Sequence, residues 1–192
     1  MPISRVVVLT PYHSIDGELR FTEKRLSDHL NARQATAIDL RNAAIARLKE
    51  PNKVLQRHAQ AVIPKEWIVI AFEPQHEPVH GAARLYAFVK KVPIEIFVAL
   101  DAMEVRGTYH SSVGVDLHRL LADPPDPFFP VTRPSITLYE NERMVLKPEA
   151  ILMSVRHIRY FAKVDVKPEA KPEEARPAAP NPPTPPPTQD SE

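Results

Sequence analysis

The feature that most constrains the fold is a similarity between two segments of the chain. When the sequence is shifted by 90 residues, VVVLTPYHSIDGEL lies over IFVALDAMEVRGTY, and Gly17 lies over Gly107. After a one-residue insertion, the leucines of RLSDHLNAR align with those of DLHRLLADP, and IDLRNAAI aligns with FPVTRPSI. Two copies of one small unit account for this shared order of apolar positions. The alternative is a chance match, because strand-rich segments resemble one another.

Each copy has the pattern of a small β unit. RVVVLT and IEIFVAL are rich in β-branched residues, which is typical of strands. The second strand of each copy runs through Gly17 or Gly107, and a glycine inside a strand marks a bulge or a tight bend. A short helix follows, and then further short strands. Short strands with a strongly bent second strand predict a small, partly closed barrel of five strands.

The sequence therefore predicts a mainly β protein made of two tandem five-stranded barrels, at residues 1–73 and 94–164, with a connector at 74–93. Residues 165–192 contain nine prolines and no aromatic residue. Such a segment buries too little apolar surface to offset the entropy of ordering, so we predict a disordered Pro-rich tail. Its PPTPPP run could bind an aromatic groove of a partner protein. The favoured interpretation is a solubilising tail, because such a composition is common and the motif is permissive.

The order of the glycine, RLSDHLN, AIDLRNAAI and a final apolar strand pair resembles an uncharacterised bacterial domain family that often occurs in tandem. The arrangement also resembles the Sm-like small barrels. That resemblance implies oligomerisation through barrel edges and, in many members, RNA binding. The RNA-binding members carry an Asp-x-Asn signature and an Arg-Gly or Lys-Gly step before the last strand. Here the corresponding segments are PKEWI and VRHIR, without glycine, which counts against RNA binding.

Composition excludes several chemistries. The chain has no cysteine, so disulfides, thiolate metal sites and a cysteine nucleophile are excluded. Its four glycines are scattered, so neither a P-loop nor a dinucleotide-binding fingerprint is present. Residues 1–164 carry a net charge of +4, a small excess for a nucleic-acid-binding protein. No apolar run is long enough for a membrane span or a signal peptide, so we predict a cytoplasmic protein.

The polar segment RLSDHLNAR contains an acid and a histidine that suggest a small catalytic site. Leu26 and Leu30 are spaced i and i+4, so on a helix they form one apolar stripe that would close the end of the barrel. Asp28 and His29 are adjacent and point about 100° apart on a helix, so they cannot orient one another. The second copy keeps the leucines and lacks this pair. The segment is therefore predicted to be an apolar plug.

The segment HEPVH matches the HExxH pattern of zinc peptidases at His76, Glu77 and His80. That chemistry requires one continuous helix, because only i and i+4 spacing brings both imidazoles to one metal ion. Pro74 and Pro78 prevent a helix from spanning His76. We interpret the match as coincidental.

The predicted function is that of a non-enzymatic binding or scaffolding protein, acting through barrel edges, the groove between the copies or the Pro-rich tail. Its expected partner is another protein or a second copy of the chain. The alternative is binding of single-stranded RNA or DNA, which rests on the Sm-like resemblance and the net charge of +4 on residues 1–164. Trp67 could stack on a base, but we favour its interpretation as a partly buried residue at the edge of the core. A zinc-dependent hydrolase using HEPVH is a less favoured alternative. No residue is assigned to a catalytic, cofactor or metal site.

Overall fold

The computed structural model describes residues 3–20, 25–74, 91–112, 117–124 and 126–164. The first half contains β1 (Ile3–Leu9), β2 (His13–Arg20), α1 (Leu26–Asn31), β3 (Ala37–Arg47), β4 (Val54–Pro64), a 3-10 turn (Lys65–Trp67) and β5 (Ile70–Phe72). The second half contains β6 (Lys91–Leu100), β7 (Met103–Ser112), α2 (Leu117–Ala122), β8 (Phe128–Leu138), β9 (Asn141–Leu146), β10 (Ala150–Ser154), a second 3-10 turn (Val155–His157) and β11 (Ile158–Lys163).

These strands form one antiparallel sheet in the order β11-β6-β7-β8-β10-β5-β1-β2-β3-β4, with β9 paired to β8. The prediction of a mainly β chain with a short helix between the second and third strands of each half is confirmed. The predicted two tandem five-stranded barrels are not confirmed, because β10 pairs with β5 and joins both halves in one sheet that is open at β11 and β4. The predicted Pro-rich tail and most of the connector lie outside the described residues.

The second strand of each half is irregular where the sequence places its glycine. The register of β2 with β3 shifts around Gly17, and that of β7 with β8 shifts around Gly107, which confirms the predicted bulges. A Cβ atom on Gly107 would lie 2.7 Å from the Cγ1 atom of Val131. Opposite the glycines, Asn42 and Arg133 have left-handed backbones with φ of 50° and 51°. Bulges of this kind increase the local twist of the sheet.

The hydrophobic core is shared between the two halves. One cluster of buried residues is built mostly from β1 to β5 and α1, and it includes Phe128 and Leu152 of the second half. The other is built mostly from β6 to β11, and it includes four residues of the first half, Leu9, Leu48, Val69 and Ile70. Neither half therefore completes its core alone, which ties the folding of one half to that of the other.

The helix α1 packs its apolar stripe into the first cluster. Leu26 and Leu30 are both buried, as predicted for the first copy. In α2 the prediction that Leu121 is buried is wrong, because Leu121 is 38% exposed and its neighbour Leu120 is buried instead. The ammonium group of Lys65 donates hydrogen bonds to the backbone carbonyls of His29 and Ala32, at 2.8 and 2.9 Å. These bonds satisfy carbonyls at the C-terminal end of the helix, which have no partners within it. Burial lowers the pKa of Lys65.

Candidate functional site

The interface between the halves is a short strand pairing that we call the internal junction. It joins β10 to β5 at two residue pairs, Leu152 with Ala71 and Met153 with Ile70. Beyond them, the N–H group of Ser154 donates a hydrogen bond to the carbonyl oxygen of Val69 at 3.0 Å. All six residues are buried, so the pairing lies in the core of the molecule.

A side chain from α1 also links the halves. The amide nitrogen of Asn31 donates to the carbonyl oxygen of Phe128 at 3.0 Å, and the N–H group of Phe128 donates to the Asn31 side-chain oxygen at 2.9 Å. The two bonds hold α1 against the first residue of β8. Because Phe128 is buried, its backbone groups need such partners.

A histidine connects the two 3-10 turns. His157 is 7% exposed, and its Nδ1 atom lies 2.6 Å from a carboxylate oxygen of Asp101, while its Nε2 atom lies 2.9 Å from the carbonyl oxygen of Glu66. Asp101 also accepts a hydrogen bond from Arg159. Burial raises the pKa of Asp101, but the hydrogen bonds and charges of His157 and Arg159 outweigh it and hold the pKa below its usual value. Since both ring nitrogens are engaged, His157 acts as a structural link across the junction.

The two ends of the sheet, β4 and β11, are free backbone edges. β4 and β11 each have a strand neighbour on one side only, so each presents a row of N–H and C=O groups that a further strand can pair with. Large apolar side chains accompany both edges. Val62 on β4 is 63% exposed and Trp67 just after it is 50% exposed, while Tyr160 on β11 is 57% exposed.

A cleft lies beside the turn that joins β3 to β4. It encloses about 560 Å³ and is lined by His13, Ile15, Ile45, Arg47, Leu55 and Gln56. Ile15 and Ile45 form an apolar floor, whereas His13 and Arg47 are exposed and bring polar groups to the rim. We call this site the hairpin cleft. Apolar floors with a few polar rim groups are typical of binding sites.

Of the residues that suggested catalysis, the described structure includes Asp28 and His29, both on the six-residue helix α1. Asp28 is exposed and accepts a hydrogen bond from the neighbouring Ser27 hydroxyl, which leaves it a surface residue of α1. The residues His76, Glu77 and His80 lie outside the described part of the chain. Within the described ranges, no group of three or more histidine, aspartate or glutamate side chains is placed to hold a metal ion.

Comparison with known proteins returned no matching family model, curated protein or solved structure. Among the described helices, none has the length and apolar character that a membrane span requires. The internal junction, the Asn31 and His157 links and the hairpin cleft were not predicted from the sequence. Each of them brings together residues that are far apart in the chain, so no local motif marks them.

Proposed function

We propose that this chain is a non-enzymatic assembly module whose two free sheet edges join copies of the chain head to tail. The strand order is the observation that carries the proposal. Within the molecule, β10 near the end of the second half pairs with β5 of the first half. The strands at the two ends of the sheet are β4 and β11. β4 is the counterpart of β10 in the first half, and β11 is the counterpart of β5 in the second half. The same pairing can therefore be repeated between molecules.

This proposal includes an origin of the chain by duplication, with each half derived from a small Sm-like barrel of five strands. The two bulges support it, because Asn42 and Arg133 are the two non-glycine residues with positive φ in the described chain and stand 91 residues apart. The strand registers support it as well. Ile38 and Phe129 are aligned between the two copies. Ile38 pairs with Ile63 in the first half, and Phe129 pairs with Met153 in the second. Position 62 in β4 thus corresponds to position 152 in β10.

The side chains at the free edges agree with this correspondence. Val62 is 63% exposed, while Leu152, its counterpart at the internal junction, is 8% exposed. At the other end of the sheet, Tyr160 is 57% exposed, and its counterpart Ile70 is fully buried. Positions that are apolar and buried inside the molecule are thus apolar and exposed at its ends. Pairing with a second copy would remove these side chains from water, which favours association.

One substitution makes the proposed pairing weaker than the internal junction. Pro64 occupies the place of Ser154, whose N–H group donates to Val69. Proline has no N–H group, so this hydrogen bond cannot form at the β4 edge. We therefore expect reversible assembly that depends on protein concentration. Light scattering should give a molar mass that rises with concentration, whereas a monomer at every concentration would refute the proposal.

A cysteine cross-link tests the register of the pairing. If β4 and β11 pair as β10 and β5 do, Val62 lies opposite Phe161, and Gln60 lies opposite Lys163 of the next molecule. Opposed residues have Cβ atoms about 5 Å apart, which is close to the span of a disulfide. Because the chain has no cysteine, a Gln60→Cys, Lys163→Cys variant carries only the designed thiols. Mild oxidation should produce a ladder of covalent oligomers on a non-reducing gel.

The matched control places the first cysteine one strand further from the edge. Arg41 pairs with Gln60 across β3 and β4, so in an Arg41→Cys, Lys163→Cys variant the thiols are about 5 Å further apart. This control should remain monomeric on the gel. Equal cross-linking of both variants would indicate random collision, and no cross-linking of either would exclude the proposed register.

A further inference from the structure

The hairpin cleft exists because polar residues stand where the second half has core residues. His13 pairs with Arg47 in the β2–β3 ladder, and Met103 pairs with Leu138 in the β7–β8 ladder. The two pairs lie at equivalent places, so His13 corresponds to Met103 and Arg47 corresponds to Leu138. Met103 and Leu138 are buried, whereas His13 and Arg47 are exposed. The region that is packed shut in the second half is therefore open in the first.

Residues of the first half complete the packing of the second. Leu48 and Ile70 belong to the same buried cluster as Met103 and Leu138. Leu48 begins the turn after β3, and its N–H group donates to the carbonyl oxygen of Tyr12. Across the internal junction, the first half thus contributes apolar side chains to the cluster at this end of the second half.

The counterparts of these two residues are exposed tyrosines. Tyr139 corresponds to Leu48, since its N–H group donates to the carbonyl oxygen of Ala102 in the equivalent hairpin turn. Tyr160 corresponds to Ile70. Tyr139 is 46% exposed and Tyr160 is 57% exposed. They occupy the end of the molecule that would face the hairpin cleft of a neighbour in the proposed assembly.

We propose that the hairpin cleft of one molecule receives Tyr139 and Tyr160 of a second copy. This inference rests on the proposed head-to-tail assembly, and it names the side chains that give the assembly its specificity. The occupant is a second copy because the corresponding positions already belong to one buried cluster across the internal junction. At that junction the two surfaces are apolar, whereas here an apolar cleft with a polar rim faces two tyrosines.

The chemistry of the cleft suits tyrosine. The floor of Ile15 and Ile45 accepts the apolar face of the ring, and the guanidinium of Arg47 can stack over it. The His13 imidazole and the Gln56 amide nitrogen offer hydrogen-bonding groups for the phenol hydroxyl, while the Gln56 oxygen lies 3.1 Å from His58. An aliphatic residue has no group that could bond to them, so the change from Leu48 and Ile70 to tyrosines matches the change in the cleft.

The first test removes the tyrosines. A Tyr139→Ser, Tyr160→Ser variant should weaken self-association by at least about tenfold, measured by sedimentation equilibrium, because buried aromatic side chains dominate interface affinity. Tyr12→Ser is the matched control, since Tyr12 is 70% exposed and lies outside the cleft. Its dissociation constant should stay within about twofold of the wild-type value.

The second test blocks one end of each molecule. An Arg47→Glu, Leu55→Ser variant has an altered cleft and intact tyrosines, so its self-association should also weaken by at least about tenfold. At a concentration at which neither variant associates alone, its mixture with the tyrosine variant should give a one-to-one dimer that grows no further. Failure of this mixture to form a dimer would overturn the inference. If both variants assemble like the wild type while the Gln60→Cys, Lys163→Cys ladder persists, edge pairing stands and the role of the cleft is refuted. If the wild type is monomeric, both proposals fail.

Discussion

Replacing Asn31 with alanine tests how firmly the two halves are held together. The Asn31 side chain makes two hydrogen bonds to the backbone of Phe128, at 3.0 and 2.9 Å, across 97 residues of sequence. Asn31→Ala removes both bonds and leaves the N–H and C=O groups of a buried residue without these partners. The variant makes no new contact, so the change in stability reports this link.

The magnitude follows from the number and environment of the bonds. A hydrogen bond contributes about 1 kcal/mol net, and a buried polar group left unpaired costs about 1–3 kcal/mol. Asn31 itself is only half-buried, so water can reach part of the site in the variant. We therefore expect the free energy of unfolding to fall by about 2–4 kcal/mol, a large part of the roughly 5–15 kcal/mol typical of a folded domain.

Urea unfolding followed by circular dichroism measures this change, with Asn141→Ala as the matched control. Asn141 also links the halves, but through a single exposed hydrogen bond to the carbonyl oxygen of Lys49 at 2.9 Å. Because water replaces such a bond, the control should lose less than about 1 kcal/mol. If Asn31→Ala costs no more than the control, the argument that α1 fastens the second half to the first is wrong.

Two further predictions concern the bulges and the junction. Gly107→Ala should lower the free energy of unfolding by about 1–3 kcal/mol, because its Cβ would lie 2.7 Å from the stiff side chain of the buried Val131. Gly17→Ala should lower it less, since the atom closest to its Cβ would be 3.0 Å away. If thermal unfolding shows Gly17→Ala to be the less stable variant, the reasoning from these distances is wrong. Asp101 has a lowered pKa in the folded state, so its stabilising effect is present above its usual pKa and is lost as the pH falls through the folded value. Asp101→Asn should therefore lose less stability than the wild type between about pH 5 and pH 2, measured by urea unfolding at each pH, and parallel losses would refute this.

Local sequence patterns predicted the bulges in the strands and the buried face of α1, but not which strands of the two halves pair. The glycines at 17 and 107 predicted the bulges because a bulge is a local property of the backbone. The leucines of α1 predicted its buried face for the same reason. In contrast, the pairing of Met153 with Ile70 depends on which free edge lies nearest in space, and both are ordinary apolar strand residues. The sequence therefore predicted two separate, partly closed barrels where the structure has one open sheet.

The hairpin cleft escaped prediction for a different reason. His13 and Arg47 look like ordinary surface residues when each is read alone. They become informative only when they are compared with Met103 and Leu138, because that comparison shows that the second half has buried core residues at these two positions. The strand registers that establish the correspondence come from the structure. A site of this kind is defined by a difference between two halves, and no motif within either half marks it.

The distribution of polar pairs on the sheet bears on whether its edges are protected or used. Away from the edges, the outer face of the first half carries a matched polar pair, Arg5 with Asp16. Proteins that only protect an exposed edge place charges or proline along it. β4 carries an exposed arginine, Arg57, and a proline at its last position, but Val62, two residues before that proline, is apolar and exposed. The proline weakens strand pairing at this edge because it lacks an N–H group, whereas burial of the valine side chain strengthens it. Together they favour an edge that pairs reversibly with a matching strand.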